Sequence, residues 1–295
     1  MKMFAFLIPL TIAATAFAAD GPKLAFERGT GVWVANLDGT GAKKIASGQG
    51  PELSPDGSKL AFNTVQEIGQ PAHRQIAVAD LASGTITIFK DIPSDNCLQP
   101  VWSSDATRLL FTFYEKNEMR AGLVNADGTG FRDVQKSEAK HQNYWAAAWA
   151  ADGQSFFGED MENLYQLDLD AKVLKKWKVE TIVPRGGMSG GVRLHASADG
   201  KTLLMDIEMA EKERKGWAGP PPSIWTFDLA SEKSTRLTPK TLYAWDAHWL
   251  DAGNLVFSSQ AAGEDEPSIY RMSVAGQGKD RKLLVKKARL ASVSR

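Results

Sequence analysis

The sequence predicts an all-β chain built from repeated four-stranded units, and three observations predict it. First, a polar turn running into an apolar strand recurs as SPDGSKLAF (54–62), SSDATRLLF (103–111), AADGQSFFG (150–158), SADGKTLLM (197–205) and LDAGNLVFS (250–258), with starts 49, 47, 47 and 53 residues apart. A period of that size marks stacked supersecondary units. Second, a strand ending in its own polar turn follows each of them: VWVANLDG (32–39), IAVADLASG (76–84), AGLVNADG (121–128), LYQLDLDA (164–171), IWTFDLAS (224–231) and IYRMSVAG (269–276). Third, no segment sustains a helical period, and the apolar runs LAF, LLF, FF, LLM and LVF suit strands buried on both faces. With a weaker fourth strand such as GTITIFKD (84–91) or DRKLLVKK (280–287), the unit is four antiparallel strands in about 45 residues, the size of a propeller blade. The expected architecture is a six-bladed β-propeller.

Taken in order, the chain opens with Lys2, an apolar stretch over 4–14 and Ala16-Phe17-Ala18, the three parts of a secretory leader, here expected over 1–18. No later stretch is apolar for long enough to span a bilayer. The protein is therefore expected to be periplasmic or secreted. A single domain then covers 21–295, with blades near 22–48, 49–92, 97–137, 143–181, 191–240 and 243–287. The first blade starts at Lys23-Leu24-Ala25-Phe26, which matches Lys59-Leu60-Ala61-Phe62, the strand after the turn. It therefore lacks its innermost strand. ARLASVS near the end aligns loosely with PELSPDG, so 288–295 are expected to supply that strand and seal an otherwise open sheet edge.

Composition narrows the function. The 35 Lys and Arg balance 35 Asp and Glu, and loss of Lys2 with the leader leaves a net charge of −1. There is no basic excess to hold a phosphate backbone, so nucleic acid is not expected as a partner. Cys97 is the single cysteine and has no internal disulfide partner; preceding an apolar strand, it reads as a small buried residue. The recurring Asp80, Asp168 and Asp228 come once per blade and read as turn caps.

In an antiparallel blade the repeat turns share one face and the longer connections the other. The connections 63–75, 114–120, 206–223 and 259–268, with the blade links, make that second face and the channel mouth the expected functional surface. Four features stand out. His195 in VRLHASADG and His248 in WDAHWLDAG hold the same repeat position, next to the place that is Trp102 or Trp149 elsewhere. With Glu52 and Asp246 in the same strand type, they suit a divalent metal near the channel; the alternative is a histidine pair hydrogen-bonded between blades. The link 183–191 is Gly-rich around Arg185, which suits either an anion held by backbone amides or a plain connector. Tyr144, Trp145, Trp217, Tyr243 and Trp245 gather in the links, where they either stack on a ligand or fill the space between blades. The insertion 208–222, with mixed charge and Pro220-Pro221-Pro222, is an exposed, partly stiff loop.

Pro51-Glu52-Leu53-Ser54-Pro55-Asp56-Gly57 and Pro100-Val101-Trp102-Ser103-Ser104-Asp105 resemble the P-x-W-S-P-D-G repeat of TolB-type six-bladed propellers. The resemblance covers about 23–287, the propeller portion only, without the N-terminal domain of that family. It implies a WD-like repeat fold that serves scaffolds, peptidase gates and polysaccharide lyases alike. The leading expectation is a non-enzymatic, monomeric binding module for a protein, a peptide or an envelope glycan, with Arg185, Tyr144, Trp145, Trp217, Tyr243, Trp245 and Asp246 on its ligand face. No cofactor is required for that role. The alternative is a lyase of the oligogalacturonide kind, in which His195 and His248 hold a metal and Arg185 meets a uronate carboxylate.

Overall fold

A polar turn closed by a left-handed residue forces two strands to run back on each other, and this device starts the blades. The computed structural model describes residues 21–65, 73–135 and 144–294. In it Gly57, Ala106, Gly153 and Gly200 take φ between 57° and 68°. Each returns its N–H to the first residue of its turn, as Gly57 does to the Ser54 carbonyl at 2.8 Å. The turn aspartates brace the corner from inside: Asp105 accepts from the Ser103 hydroxyl at 2.6 Å and the Thr107 amide at 3.0 Å. Those bonds hold its carboxyl down at about 2.

Six antiparallel sheets follow, four strands deep. The second comprises Gln49–Leu53, Lys59–Asn63, Ile76–Asp80 and Ile86–Ile88. The third is Cys97–Trp102, Arg108–Glu115, Glu118–Asn125 and Arg132–Asp133. The fourth is Trp145–Trp149, Ser155–Glu159, Asn163–Asp168 and Val173–Lys178. In the fifth, Leu194–Ala196 and the short Gly186–Gly187 share the inner edge, beside Thr202–Met209, Pro222–Asp228 and Lys233–Arg236. The sixth is Ala244–Asp251, Asn254–Ser259, Ser268–Ser273 and Lys282–Val285. The first blade is closed from the other end of the chain. Arg289–Val293 pairs with Lys23–Arg28, ahead of Gly31–Asn36 and Lys43–Ser47, in the register Leu24 to Val293 and Glu27 to Arg289. The expected C-terminal closing strand is thus present.

The segment 179–192, which contains the glycine-rich link 183–191, differs from a plain connector. It opens with one helical turn, Val179–Ile182, and then runs into the fifth sheet at Gly186–Gly187, opposite Met209 and Glu208. Burial of Val179 and Val183, joined by a 2.8 Å backbone bond, pins this turn. The expected leader 1–18, part of the connection 63–75 (66–72) and all but the last residue of the expected blade link 136–144 lie outside the described residues.

The second strands carry the apolar runs, and both their faces are covered, because each blade packs on two neighbours. Leu24 and Phe26 meet Val256, Ile269 and Val293 between the sixth and first blades. Phe157, Leu203 and Met205 share a cluster between the fourth and fifth. Directly after each run comes a polar residue the apolar face cannot use: Glu27, Asn63, Thr112, Glu159, Asp206 and Ser258, all buried. Five of these six residues lock the ring. Each inner strand carries a bulge, with register shifts at 49/52, 98/101, 146/148 and 245/248 and at the closing strand. The fifth inner strand breaks more widely, over 188–193. At five of these breaks lies a residue with positive φ: Gly50, Gln99, Gly191, Asp246 and Leu290. A bulged N–H leaves the ladder and must find another acceptor. The polar residue of the preceding blade supplies it. Gly50 donates to Glu27 at 3.2 Å, Gln99 to Asn63 at 3.0 Å, Gly191 to Glu159 at 2.8 Å and Leu290 to Ser258 at 3.1 Å, and Asp246 donates to Asp206. Thr112 holds the same position in the third blade.

Replacing Asn63 by Leu strands the Gln99 amide and removes the 2.9 Å bond from the Asn63 amide to the Cys97 carbonyl. The expected loss is about 2–4 kcal/mol in urea unfolding, from about 1–3 kcal/mol per buried group left unpaired. Asn63→Asp, which keeps the acceptor, should fall between that variant and wild type. An unchanged midpoint in Asn63→Leu would contradict the lock.

Candidate functional site

Three inner-strand residues are fixed by indole N–H groups reaching across from the next blade. Trp102 donates to the carbonyl of Glu52, Trp149 to that of Val101 and Trp249 to that of His195, each at 3.0 Å. The side chains of Glu52, His195 and His248 occupy one repeat position on three inner strands, so the ring brings them together at the axis. Their ligating atoms all lie within 4.8 Å of one another. The imidazoles of His195 and His248 are 4.1 Å apart between centroids, inclined at 50°. His248 Nε2 faces Glu52 Oε1 at 3.6 Å, and its Nδ1 is 2.9 Å from the Trp249 carbonyl. Glu52 Oε2 lies 3.5 Å from Arg193 Nη1, which also donates to the Pro51 carbonyl at 3.2 Å. All four side chains are buried. Beside them is a cavity of about 130 Å³ whose wall includes Pro55, Ser104, Ala151 and Ala198. Those are turn residues, so the histidine pair opens toward the repeat-turn face rather than the long-connection face on which the sequence reading centred.

The other end of the axis is acidic. Asp206 and Asp246 line a cavity of about 300 Å³ with Trp217, Trp245 and Pro220. Burial pushes Asp246 up to about 6, against the pull of Arg193 and Arg289. Asp206 is raised well above the usual carboxylate range by burial and by the neighbouring Asp246 charge. Glu159, in the same ring, is lifted to about 7, chiefly by burial, although the Gly191 and Met161 amides both bond it. Over this end folds the insertion, whose sequence promised only an exposed loop. Trp217 packs on Tyr243 at 5.0 Å and Trp245 at 5.8 Å. Arg214 lies over Tyr243 at 4.4 Å and donates its backbone N–H to the Tyr243 hydroxyl at 2.8 Å. Glu211 pairs with Arg236 at 2.9 Å and Lys240 at 3.3 Å. The Trp217 indole N–H is buried and has no hydrogen-bond partner among the described residues.

The remaining expected site residues separate. Trp217, Trp245 and Asp246 share the acidic recess, with Tyr243 buried behind them. Tyr144 is core: it packs edge-on to Tyr165 at 4.9 Å, and burial pushes its hydroxyl up to about 12. Trp145 backs the glycine link, where a Cβ on Gly190 or Gly191 would come within 2.9 Å of its indole. Arg185 is exposed, bonds the Ala210 carbonyl and lines a different cavity from the histidines, alongside Glu162, Lys178 and Glu208. The amide of Gly191 does bond a carboxyl group, but it is the protein's own Glu159. Cys97 is buried, its thiol raised to about 12 by burial. Sequence reasoning missed Asp206, Glu159 and Arg193. The signal for the first two was present: LAFE, LAFN, LLFT, FFGE, LLMD and LVFS each end an apolar run in a polar residue.

No protein-family model matches the chain, and no curated protein matches it in sequence. Solved structures do. TolB from Acinetobacter baumannii superposes with a TM-score of 0.69 at 17% identity, over 93% of this chain and 66% of that one. A putative TolB from Agrobacterium tumefaciens gives 0.62 at 15% identity, over 93% and 98%. An oligogalacturonate lyase in complex with manganese gives 0.52 at 16%, over 83% and 71%. The chain therefore spans just under two thirds of the A. baumannii protein's length. The fold is that of a TolB-type six-bladed propeller, as the repeat resemblance implied. Among the described residues no helix is long and apolar enough to cross a membrane.

The buried acids make stability fall with rising pH. Glu159 and Asp246 have folded values of about 7 and about 6, above ordinary values of 4.5 and 3.8. The folded state therefore holds their protons more tightly than the unfolded chain. Their contribution is full below pH about 4 and is lost as pH rises through about 6–7. For Glu159 the loss is on the order of 3 kcal/mol. Urea unfolding between pH 4.5 and 8 should show it, and Glu159→Gln should flatten the slope. An equal slope in both proteins would refute the assignment.

Proposed function

We propose that the chain is an exported, non-catalytic binding module that takes a protein or peptide segment on its long-connection face. The single observation that carries this reading is the recess between Trp217, Trp245, Asp206 and Asp246. Two indoles offer large, stiff contact area at low entropic cost. Buried carboxylates at the base favour a cation, and an aromatic wall beside them adds cation–π attraction. A lysine or arginine side chain is the occupant that satisfies both features. The anchored insertion supports the reading, because a recess held by Arg214, Glu211 and Tyr243 loses little freedom on binding. Export rests on the leader pattern of Lys2, the apolar 4–14 and Ala16-Phe17-Ala18. The occupant comes from the chemistry of the recess, since the TolB likeness is one of fold.

The test is selection from a random displayed-peptide library on the purified protein, followed by calorimetry on the enriched peptides. Enrichment of lysine- or arginine-containing peptides is expected. Trp217→Ala and Trp245→Ala should each weaken binding about tenfold or more. Asp246→Asn should weaken it and reduce its salt dependence. Enrichment of acidic peptides, or affinities unmoved by all three variants, would sink the proposal.

A further inference from the structure

The geometry points to a second site, at the opposite end of the axis: we propose that Glu52, His195 and His248 bind one divalent transition-metal ion, with Zn²⁺ the first choice. It does not depend on the peptide recess.

The surroundings of His248 fix its tautomer. Nδ1 sits 2.9 Å from the Trp249 carbonyl, an acceptor only, so Nδ1 carries the proton. Nε2 is then a lone pair, and it faces Glu52 Oε1, another lone pair, at 3.6 Å in a buried site. Two acceptors face each other across that gap. A second proton on Nε2 does not repair this well, because 3.6 Å exceeds the N–H···O range of about 2.7–3.2 Å. It does match a shared cation. With bonds of about 2.0–2.1 Å, two ligands of a tetrahedral ion stand about 3.4 Å apart.

The surroundings are those of a ligand set and not of a chance cluster. A backbone carbonyl on the far nitrogen is what fixes the ring of a metal-binding histidine. The main chain under Glu52 and under His195 is held by the Trp102 and Trp249 indoles, both at 3.0 Å. Arg193 takes the other side of Glu52, at 3.5 Å from Oε2, and leaves Oε1 to the ion. Among the described residues Glu52 Oε2 finds no hydrogen-bond partner, and neither do Arg193 Nε and Nη2, all buried. Glu52, His195 and His248 are 5%, 8% and 5% exposed, so the ion would be shielded from bulk water. Two imidazole nitrogens and one carboxylate oxygen suit zinc and its neighbours better than calcium or magnesium, which prefer all-oxygen sites. The adjoining cavity of about 130 Å³ leaves a fourth position for water.

The experiment strips the purified full chain with chelator and titrates it with Zn²⁺ by calorimetry and with Co²⁺ by visible absorption. One ion per chain is expected, with the intense Co²⁺ bands of a four-coordinate site. Glu52→Gln, His195→Ala and His248→Ala should each lower affinity at least a hundredfold. His73→Ala, on an exposed histidine elsewhere, should leave it unchanged. Should a variant fail to fold, ¹⁵N spectra of the wild-type histidines decide: zinc should shift the Nε2 signal of His248. No binding, variants that bind like wild type, or an unshifted His248 signal at saturating zinc would each overturn the proposal. Failure here leaves the peptide reading standing, because the two sites share no residue.

Discussion

A bulged backbone N–H captured by the neighbouring blade is the constraint on which this structure depends. A propeller blade is a sheet with a narrow inner edge, and the inner strand must bend to follow the ring. The bulge supplies the bend but takes an amide out of the ladder, and a buried unpaired amide is unfavourable by about 1–3 kcal/mol. Placing one polar side chain at the end of each second strand solves both problems. Glu27, Asn63, Glu159, Asp206 and Ser258 each accept the stranded N–H of the following blade. The indoles of Trp102, Trp149 and Trp249 do the same work nearer the turns, in the same sense, also donating back to the preceding blade. The chain ends join this circuit, because Leu290 and Arg289 of the closing strand meet Ser258 and Glu27.

The same solution shapes the chemistry of the axis. Three of the accepting residues are carboxylates, so the locking ring is also an acidic ring. Burial first, and neighbouring carboxylate charge second, raise the proton affinity of Asp206, Asp246 and Glu159, with Arg193 and Arg289 pulling Asp246 the other way. Toward the long connections the acids meet the aromatic lid of Trp217 and Trp245. Toward the turns, two residues farther along the sixth inner strand, His248 meets His195 and Glu52. One strand, Ala244–Asp251, thus feeds both ends.

The fold was legible because repetition reports it many times over. The turn was readable in any single copy from Asp and Gly, and the closing strand from the mismatch between five turns and six later strands. The histidine pair was legible for the same reason, as one repeat position filled twice. Residue roles inside the ring were harder. Tyr144 and Trp217 are both link aromatics in sequence, yet one packs on Tyr165 in the core and the other caps a recess; blade packing decides, and no local pattern encodes it. Arg185 sits in a suggestive glycine-rich link, but the link turns it outward to Ala210, away from the histidines. Asp206 and Glu159 gave no sign of their roles because their partners, the bulged amides, belong to the next repeat, 40 and 32 residues away, and exist only once the ring is closed.

Amide hydrogen exchange reads the central claim most directly. The N–H groups of Gly50, Gln99, Gly191, Asp246 and Leu290 lie at breaks in the inner-strand ladder, so by sheet pairing alone they should exchange as fast as loop amides. The account predicts protection equal to that of ladder amides in the second strands, such as Phe62 and Phe157, because interblade capture opens only with the ring itself. Loop-like exchange at those five positions, with the second strands still protected, would contradict it.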